Sequence, residues 1–257
     1  MIAVLSPAKS LDYETALPAV GATRPRFEQE AERIAHAASA LSSADLAGLM
    51  DISDKLAALN ARRYADFDAQ PERPALFAFS GDVYTGFEAR SLDEPAIGFA
   101  QDHVRILSGL YGLLRPLDAM RPYRLEMGTR WAPDDKGTLY GWWETRIADL
   151  LARDVEEEGS GTLLNLASQE YFKSVAGKLP ASVRLIDVVF LDHGPKGPRI
   201  VSFHAKRARG MMARYLCEHR ITDVDAMRGF DSAGYRFDAE RSDTNTWTFL
   251  RTADTGD

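Results

Sequence analysis

Cysteine is almost absent from this sequence: Cys217 is the only one in 257 residues. A single thiol excludes an internal disulfide and fits a reducing compartment. Long apolar runs are missing as well, and none approaches the roughly 20 residues that span a bilayer. Met1 to Ser10 has no basic start followed by an apolar stretch, so no secretory signal is read there. The expected location is therefore the cytoplasm, with no membrane partner. Histidine is sparse and scattered, at His36, His103, His193, His204 and His219. The one close pairing, Cys217 with His219, lies on a helical stretch where residues two apart point in different directions. No metal site and no cofactor are expected. Ser6-Pro7-Ala8-Lys9-Ser10 offers a lysine in a turn but no glycine-rich loop, which excludes a Walker motif. No Ser/His/Asp set can be assembled from spacing alone. Repeats, low-complexity tracts and long linkers are also missing, so a single domain over 1–257 is expected, with a flexible tail at 252–257.

What is present suits a globular protein: 45% hydrophobic and 27% charged residues, in a chain long enough to bury a substantial core. The net charge of -7 argues at first against a nucleic-acid partner. Its distribution argues the other way. His103 to Arg130 carries five arginines against Asp118 and Glu126, and Arg199 to Arg220 carries six basic residues against Glu218. Acid is concentrated elsewhere, as in Asp154, Glu156, Glu157 and Glu158.

Periodicity predicts helices over Phe27 to Leu41, Ser43 to Met50, Ser53 to Phe67, Asp93 to Ser108, Leu139 to Asp154 and Lys206 to Arg220. Strands are expected at Ile2 to Leu5, Ala75 to Phe79, Thr162 to Leu166, Val183 to Asp192 and Arg199 to His204, the last two forming a hairpin. Tyr235 to Phe237 and Thr246 to Arg251 read as a final strand pair. Without a clean βαβ rhythm, the fold class is mixed α/β (α+β), and the pattern matches no standard superfold.

Three segments carry chemistry. On the helix from Lys206, the residues Ala208, Met211, Met212, Tyr215, Leu216 and His219 form a core stripe. Gly210, Ala213 and Cys217 on the opposite face are small, so another helix or a ligand comes close there. Lys206, Arg207 and Arg209 fall in what reads as the first turn, where the helix dipole disfavours cations unless an anion is bound. The plainer alternative is salt bridges to acids elsewhere. In the second segment, Arg105 to Glu126, glycines at 109 and 112 are followed by arginines and tyrosines. Glycines admit close backbone approach, arginines fork onto phosphate and tyrosines stack on bases. Helix, tight turn and helix over about 95–125 make a helix-hairpin-helix-like element, although two residues separate the glycines where one is usual. An ordinary connection with paired arginines is the alternative. In the third segment, Asn165, Ser168, Tyr171 and Lys173 offer donors where a strand ends; Ser168 also reads as a simple N-cap. Phe79 to Gly86 follows a strand, and its Asp82 and Tyr84 either face a cleft or sit at a plain bend.

Six blocks occur here in the order found in the YaaA peroxide-stress family. They are Ser6-Pro-Ala-Lys9-Ser-Leu-Asp12, Gly81-Asp-Val-Tyr84-Thr-Gly86, Ser108 to Gly128, Asn165-Leu-Ala-Ser168, Glu170-Tyr-Phe-Lys173 and Lys206-Arg-Ala-Arg209-Gly210. The chain resembles that family from Met1 to about Arg251. Ser10 stands where threonine is common, Ser80 where lysine can occur, and Trp142-Trp143 where a Phe-Trp or Trp-Gly pair is usual. The resemblance implies an unusual single-domain fold with a cationic cleft and a helix-hairpin-helix element. It also implies DNA binding with little sequence preference and a role in limiting free intracellular iron under peroxide stress. The expected DNA- or phosphate-binding residues are Lys9, Tyr84, Arg105, Ser108, Gly109, Tyr111, Gly112, Arg115, Arg121, Arg124, Asn165, Ser168, Lys173, Lys206, Arg207 and Arg209. The expected partner of this monomer is double-stranded or distorted DNA. The rival reading is an enzyme acting on a nucleotide or other small phosphorylated ligand, with Glu126 or Glu170 as base.

Overall fold

Four consecutive apolar residues, Ile2–Leu5, make strand β1, and all four side chains are shielded from solvent. A strand apolar on both faces belongs in the middle of a parallel sheet, and β1 lies there. The computed structural model describes residues 1–251; the tail expected to be flexible, 252–257, lies outside the described residues. After β1 come β2 (Ser10–Leu11), α1 (Glu28–Ser39), α2 (Ser43–Met50) and α3 (Asp54–Ala65). Short pieces follow: β3 (Arg73–Pro74), α4 (Ala75–Ala78), β4 (Phe79–Ser80) and α5 (Asp82–Phe87). Then come α6 (Glu94–His103), β5 (Val104–Ser108), β6 (Gly112–Leu114), β7 (Ala119–Met120), α7 (Leu139–Trp143) and α8 (Arg146–Glu158). The last third holds β8 (Thr162–Leu166), α9 (Gln169–Phe172), β9 (Arg184–Gly194), β10 (Gly197–Arg199), α10 (Ser202–Glu218), β11 (Tyr235–Phe237) and β12 (Thr246–Arg251).

The main sheet runs β11-β12-β9-β8-β1-β5-β6, with β10 also paired to β9. Strands β12, β9, β8, β1 and β5 are mutually parallel, while β11, β10 and β6 join as antiparallel neighbours. One continuous hydrophobic core lies around it, so the chain is a single mixed α/β domain with a mostly parallel sheet. No helix among the described residues is long and apolar enough to cross a membrane.

The stretch read as one helix from Asp93 to Ser108 is helix α6 followed by strand β5, which turns back into β6 through Ser108 and Gly112. The 95–125 segment is thus a helix and a β-hairpin, with no second helix after the turn. Val104–Ser108 is buried throughout, and a run buried on every side has no period that separates helix from strand. The same ambiguity hid α4, a single helical turn expected as a strand. Leu139 to Asp154 is two helices, broken at Glu144 with φ 50 and ψ -122. Finally, the strand expected at Arg199 to His204 is only β10, which ends at Arg199, and α10 starts at Ser202, not Lys206. The basic residues therefore lie beyond the first turn, and the helix-dipole argument for an anion does not apply to them.

The small face of α10 is filled by a helix. A Cβ on Gly210 would sit 1.8 Å from the Val83 carbonyl oxygen, and one on Gly86 would sit 2.1 Å from the Arg207 carbonyl oxygen. Helices α5 and α10 therefore meet backbone to backbone. With the sheet on one side and α5 on the other, α10 buries Ala208, Met212 and Leu216 together with Gly210, Ala213 and Cys217. Of the residues expected in the core, Met211 and Tyr215 are only half-buried and His219 is exposed. Arg214 closes the C-terminal end of α5, donating to Phe87 O, Glu88 O and Ser91 Oγ.

Gly210→Ala should lower the unfolding free energy by about 3 kcal/mol or more, because two backbones must separate. Gly48→Ala, on α2 with nothing within 4 Å of the new methyl, should be neutral or add up to about 1 kcal/mol. Urea denaturation of both variants beside the parent measures the difference.

Candidate functional site

Strand β1 has β5, the next long strand in the chain, on one side and the much later β8 on the other. In parallel sheets the crevice outside the carboxyl ends at such a reversal is where ligands bind. The loops leaving β1 and β8 meet there. Ser168 N donates to Ser6 Oγ at 2.8 Å, and Ser6 Oγ donates to Ser168 Oγ at 3.2 Å. Beneath them, Tyr84 donates from its hydroxyl to Ser6 O at 3.1 Å. Burial, with the nearby Tyr123 and Tyr171, raises the Tyr84 hydroxyl well above its ordinary value, so it stays a neutral donor.

These loops, the start of α5 and one face of α10 enclose a cavity of about 360 Å³. Lys9, Lys206 and Arg209 line it, together with Asp82 and Glu170. Lys9 Nζ lies 3.1 Å from Glu126 Oε1, and Arg124 reaches that same oxygen at 3.1 Å. Glu170 Oε1 accepts from Gly128 N at 3.1 Å. Lys206 and Arg209 differ from these: neither has a carboxylate within 4.0 Å among the described residues. Arg209 is half-buried, and its Nε is shielded from solvent without a hydrogen-bond partner. Burial pulls its guanidinium below its ordinary value. A desolvated cation with no counterion is costly, and an incoming anion would relieve that cost.

Arg209 also borders a second cavity, of about 800 Å³, over β8 and β9. Asn165 and Lys173 line that one, and the Lys173 ammonium lies 5.1 Å from the Tyr140 ring centre.

The remaining expected site residues lie elsewhere. Arg105 is buried and bonded to Asp154, which also holds Arg26. Ser108 is buried, accepting from Tyr111 N at 2.8 Å and pairing with the Tyr123 hydroxyl at 2.7 Å. Tyr111 is buried and accepts from Arg121 N. A Cβ on Gly109 would lie 2.4 Å from Leu125 O, and one on Gly112, at φ +65, would lie 2.8 Å from the Trp143 ring. These glycines serve packing of the β5–β6 hairpin. Arg115 pairs with Asp118 at 2.9 Å. Arg121 pairs with Glu72 at 2.9 Å and lies over the Phe67 ring. Arg207 borders a separate groove beside α5, with Glu88 and Arg214. One cleft gathering both basic segments is therefore not what the chain builds. Lys9, Ser168, Lys206 and Arg209 share the first cavity, and from the second segment only Arg124 adjoins it, through Glu126. Among the described residues, no three His, Cys, Asp or Glu side chains gather to hold a metal.

Asp187 was missed by sequence reasoning. It lies on the floor of the larger cavity, and a lone acid inside the apolar run Val183 to Leu191 was the available signal.

Phosphate at about a hundred times its Kd should stabilise the protein by about 2.7 kcal/mol. Its melting temperature should exceed that in chloride of equal ionic strength, and Arg209→Gln should remove the excess beyond the general salting effect of phosphate. At Asp154, burial alone would raise the carboxyl, but hydrogen bonds and charge from Arg26 and Arg105 outweigh it and hold it below 3.8. A depressed carboxyl stabilises the fold above its unfolded value, and that stability is lost as pH falls. Asp154→Asn should therefore cost about 3–5 kcal/mol at neutral pH and flatten the loss of stability below pH 4, as read by denaturation at stepped pH.

The profile of a family described as peroxide stress protein YaaA matches residues 1–241. A UPF0246 protein of Rhizorhabdus wittichii is 62% identical over 252 residues, 98% of this chain and 100% of its own length. UPF0246 proteins of Alteromonas mediterranea and Burkholderia orbicola are 47% identical over 255 residues and 50% identical over 257, each covering 98% of both chains. The chain belongs to the YaaA peroxide-stress family.

Proposed function

We propose that this chain acts in the peroxide-stress response by binding DNA through its phosphates, with little sequence preference. The observation that carries the reading is the pair Lys206 and Arg209, one turn apart on α10 and without a carboxylate within 4.0 Å among the described residues. They face the crevice outside β1 and β8, beside Lys9. In a protein of net charge -7, cations left without a contacting acid where a fold ordinarily binds ligands are fitted to an anion. Neutralised phosphates release their condensed counterions, and bound iron is among the cations that such contacts displace. That gives a route to lower DNA-associated free iron in which the protein does not coordinate the metal.

A second reading is favoured by the cavity itself. About 360 Å³ falls in the range of small-molecule sites, and phosphate binding alone does not call for Asp82 and Glu170. A small phosphorylated substrate, with Glu170 as base, fits these features.

Binding of a fluorescent duplex should fall with salt, with a slope of log K on log salt near -3 for about three phosphate contacts. Lys206→Gln with Arg209→Gln should weaken all duplex sequences alike and flatten the slope by roughly two contacts. Arg121→Gln, whose guanidinium is already paired with Glu72, should leave both unchanged. Salt-insensitive binding, or full binding by the double variant, would remove the DNA reading and leave the small-molecule one.

A further inference from the structure

Parallel strands are ordinarily covered on both faces, yet one face of β9 is not. Leu185, Asp187 and Val189 are half-exposed along it, while Ile186, Val188 and Phe190 between them are buried. The cavity of about 800 Å³ lies over that face, and a phosphate seat alone does not account for it.

Its floor carries a polar row. Asn165 of β8, Asp187 of β9 and Thr246 of β12 are in register, so they share one face. Asn165 Nδ2 donates to Asp187 Oδ1 at 2.7 Å, and Asn165 Oδ1 accepts from Ala167 N at 3.0 Å. The amide is thereby fixed at both ends and orients the carboxylate. The other oxygen of Asp187 has no side-chain or backbone donor among the described residues. The site thus presents an apolar surface, a fixed acceptor on its floor and, at its border with the smaller cavity, Arg209.

A matching ligand is planar and apolar on its faces, carries adjacent donors on one edge and bears an anion. A guanine nucleotide has all three. Its N1–H and N2–H groups are adjacent donors for a carboxylate. Adenine and cytosine place a ring acceptor beside their amino group, and thymine flanks one N–H with two carbonyls. We propose that the larger cavity is a base pocket, taking the guanine of a single nucleotide unit on Asp187 while the phosphate rests on Arg209 and Lys206. This rests on the phosphate-binding reading above. The nucleotide has two sources with the same chemistry, a free mononucleotide or an unpaired residue of a DNA strand.

Calorimetric titration of the full chain with dGMP, dAMP, dTMP and deoxyribose 5-phosphate tests the pocket. The guanine nucleotide should bind about tenfold to a hundredfold more tightly than the sugar phosphate. Asp187→Asn should abolish that preference and leave sugar phosphate affinity unchanged. Leu185→Trp, which fills the cavity while keeping the residues of the row, should do the same and covers the case in which Asp187→Asn fails to fold. Duplexes with one unpaired guanine, compared with the fully paired duplex, separate the two sources. A preference for the unpaired guanine that is lost in Asp187→Asn identifies the strand; its absence while dGMP binds identifies the free nucleotide. If neither guanine ligand is preferred, but paired duplex or sugar phosphate binds and Arg209→Gln weakens it, the base pocket is overturned and the phosphate reading stands. If no phosphate ligand binds, or Arg209→Gln changes nothing, the phosphate reading falls and the base pocket with it.

Discussion

The backbone contact between α5 and α10 sets the position of everything at the site. Gly86 and Gly210 remove the two methyl groups that would otherwise meet carbonyl oxygens at 2.1 and 1.8 Å. With the helices that close, α10 is pressed between α5 and the sheet, and two of its faces are buried. The strip left open carries Lys206 and Arg209, which line the cavity outside β1 and β8. The same contact brings the start of α5, with Asp82, to the opposite wall. A wider crossing would move the cations away from the serine-linked loops of β1 and β8. Two glycines that line neither cavity therefore determine where the cations lie.

Most arginines in this chain are spent on the fold. Arg105 and Arg26 converge on Asp154, Arg115 closes a turn on Asp118, Arg121 ties α1 to the chain before β3, and Arg214 seals α5. Each pairing offsets a charge that would otherwise add to a general cationic surface. An acidic protein can therefore carry a local cationic site without broad attraction for polyanions. The selectivity of such a site comes from the few cations left over, and Arg209 is the most constrained of these because its Nε is already desolvated.

Strands with a sharp signature were legible in the sequence. β1, β8, β11 and β12 have the expected bounds, because each is a short apolar or alternating run closed by turn residues. Helices with caps were nearly as clear: Ser42 and Asp45 form a capping box that starts α2. Val104–Ser108 was not legible, since burial on all sides erases the period. With that strand read as helix, the glycines behind it read as a hairpin between helices. At the site, Lys9, Lys206 and Arg209 stood out by charge. Which arginines would be neutralised was not visible, because partners such as Glu72 for Arg121 are distant in sequence and brought together only by the fold.

Arg209 lies where two unlike cavities meet, and that placement bears on what kind of site this is. A surface that only holds a phosphate backbone benefits from several exposed, mobile cations and tolerates their hydration. Burying one guanidinium between a polar pocket and an apolar one sacrifices hydration, which is favourable only if the bound anion is fixed and largely dehydrated itself. A fixed anion in turn fixes what is attached to it. The apolar cavity begins at the same side chain, and its floor ends in a carboxylate oriented by Asn165. Under the phosphate-binding proposal, such a geometry would select by the group joined to the phosphate as well as by charge, unlike a general electrostatic surface.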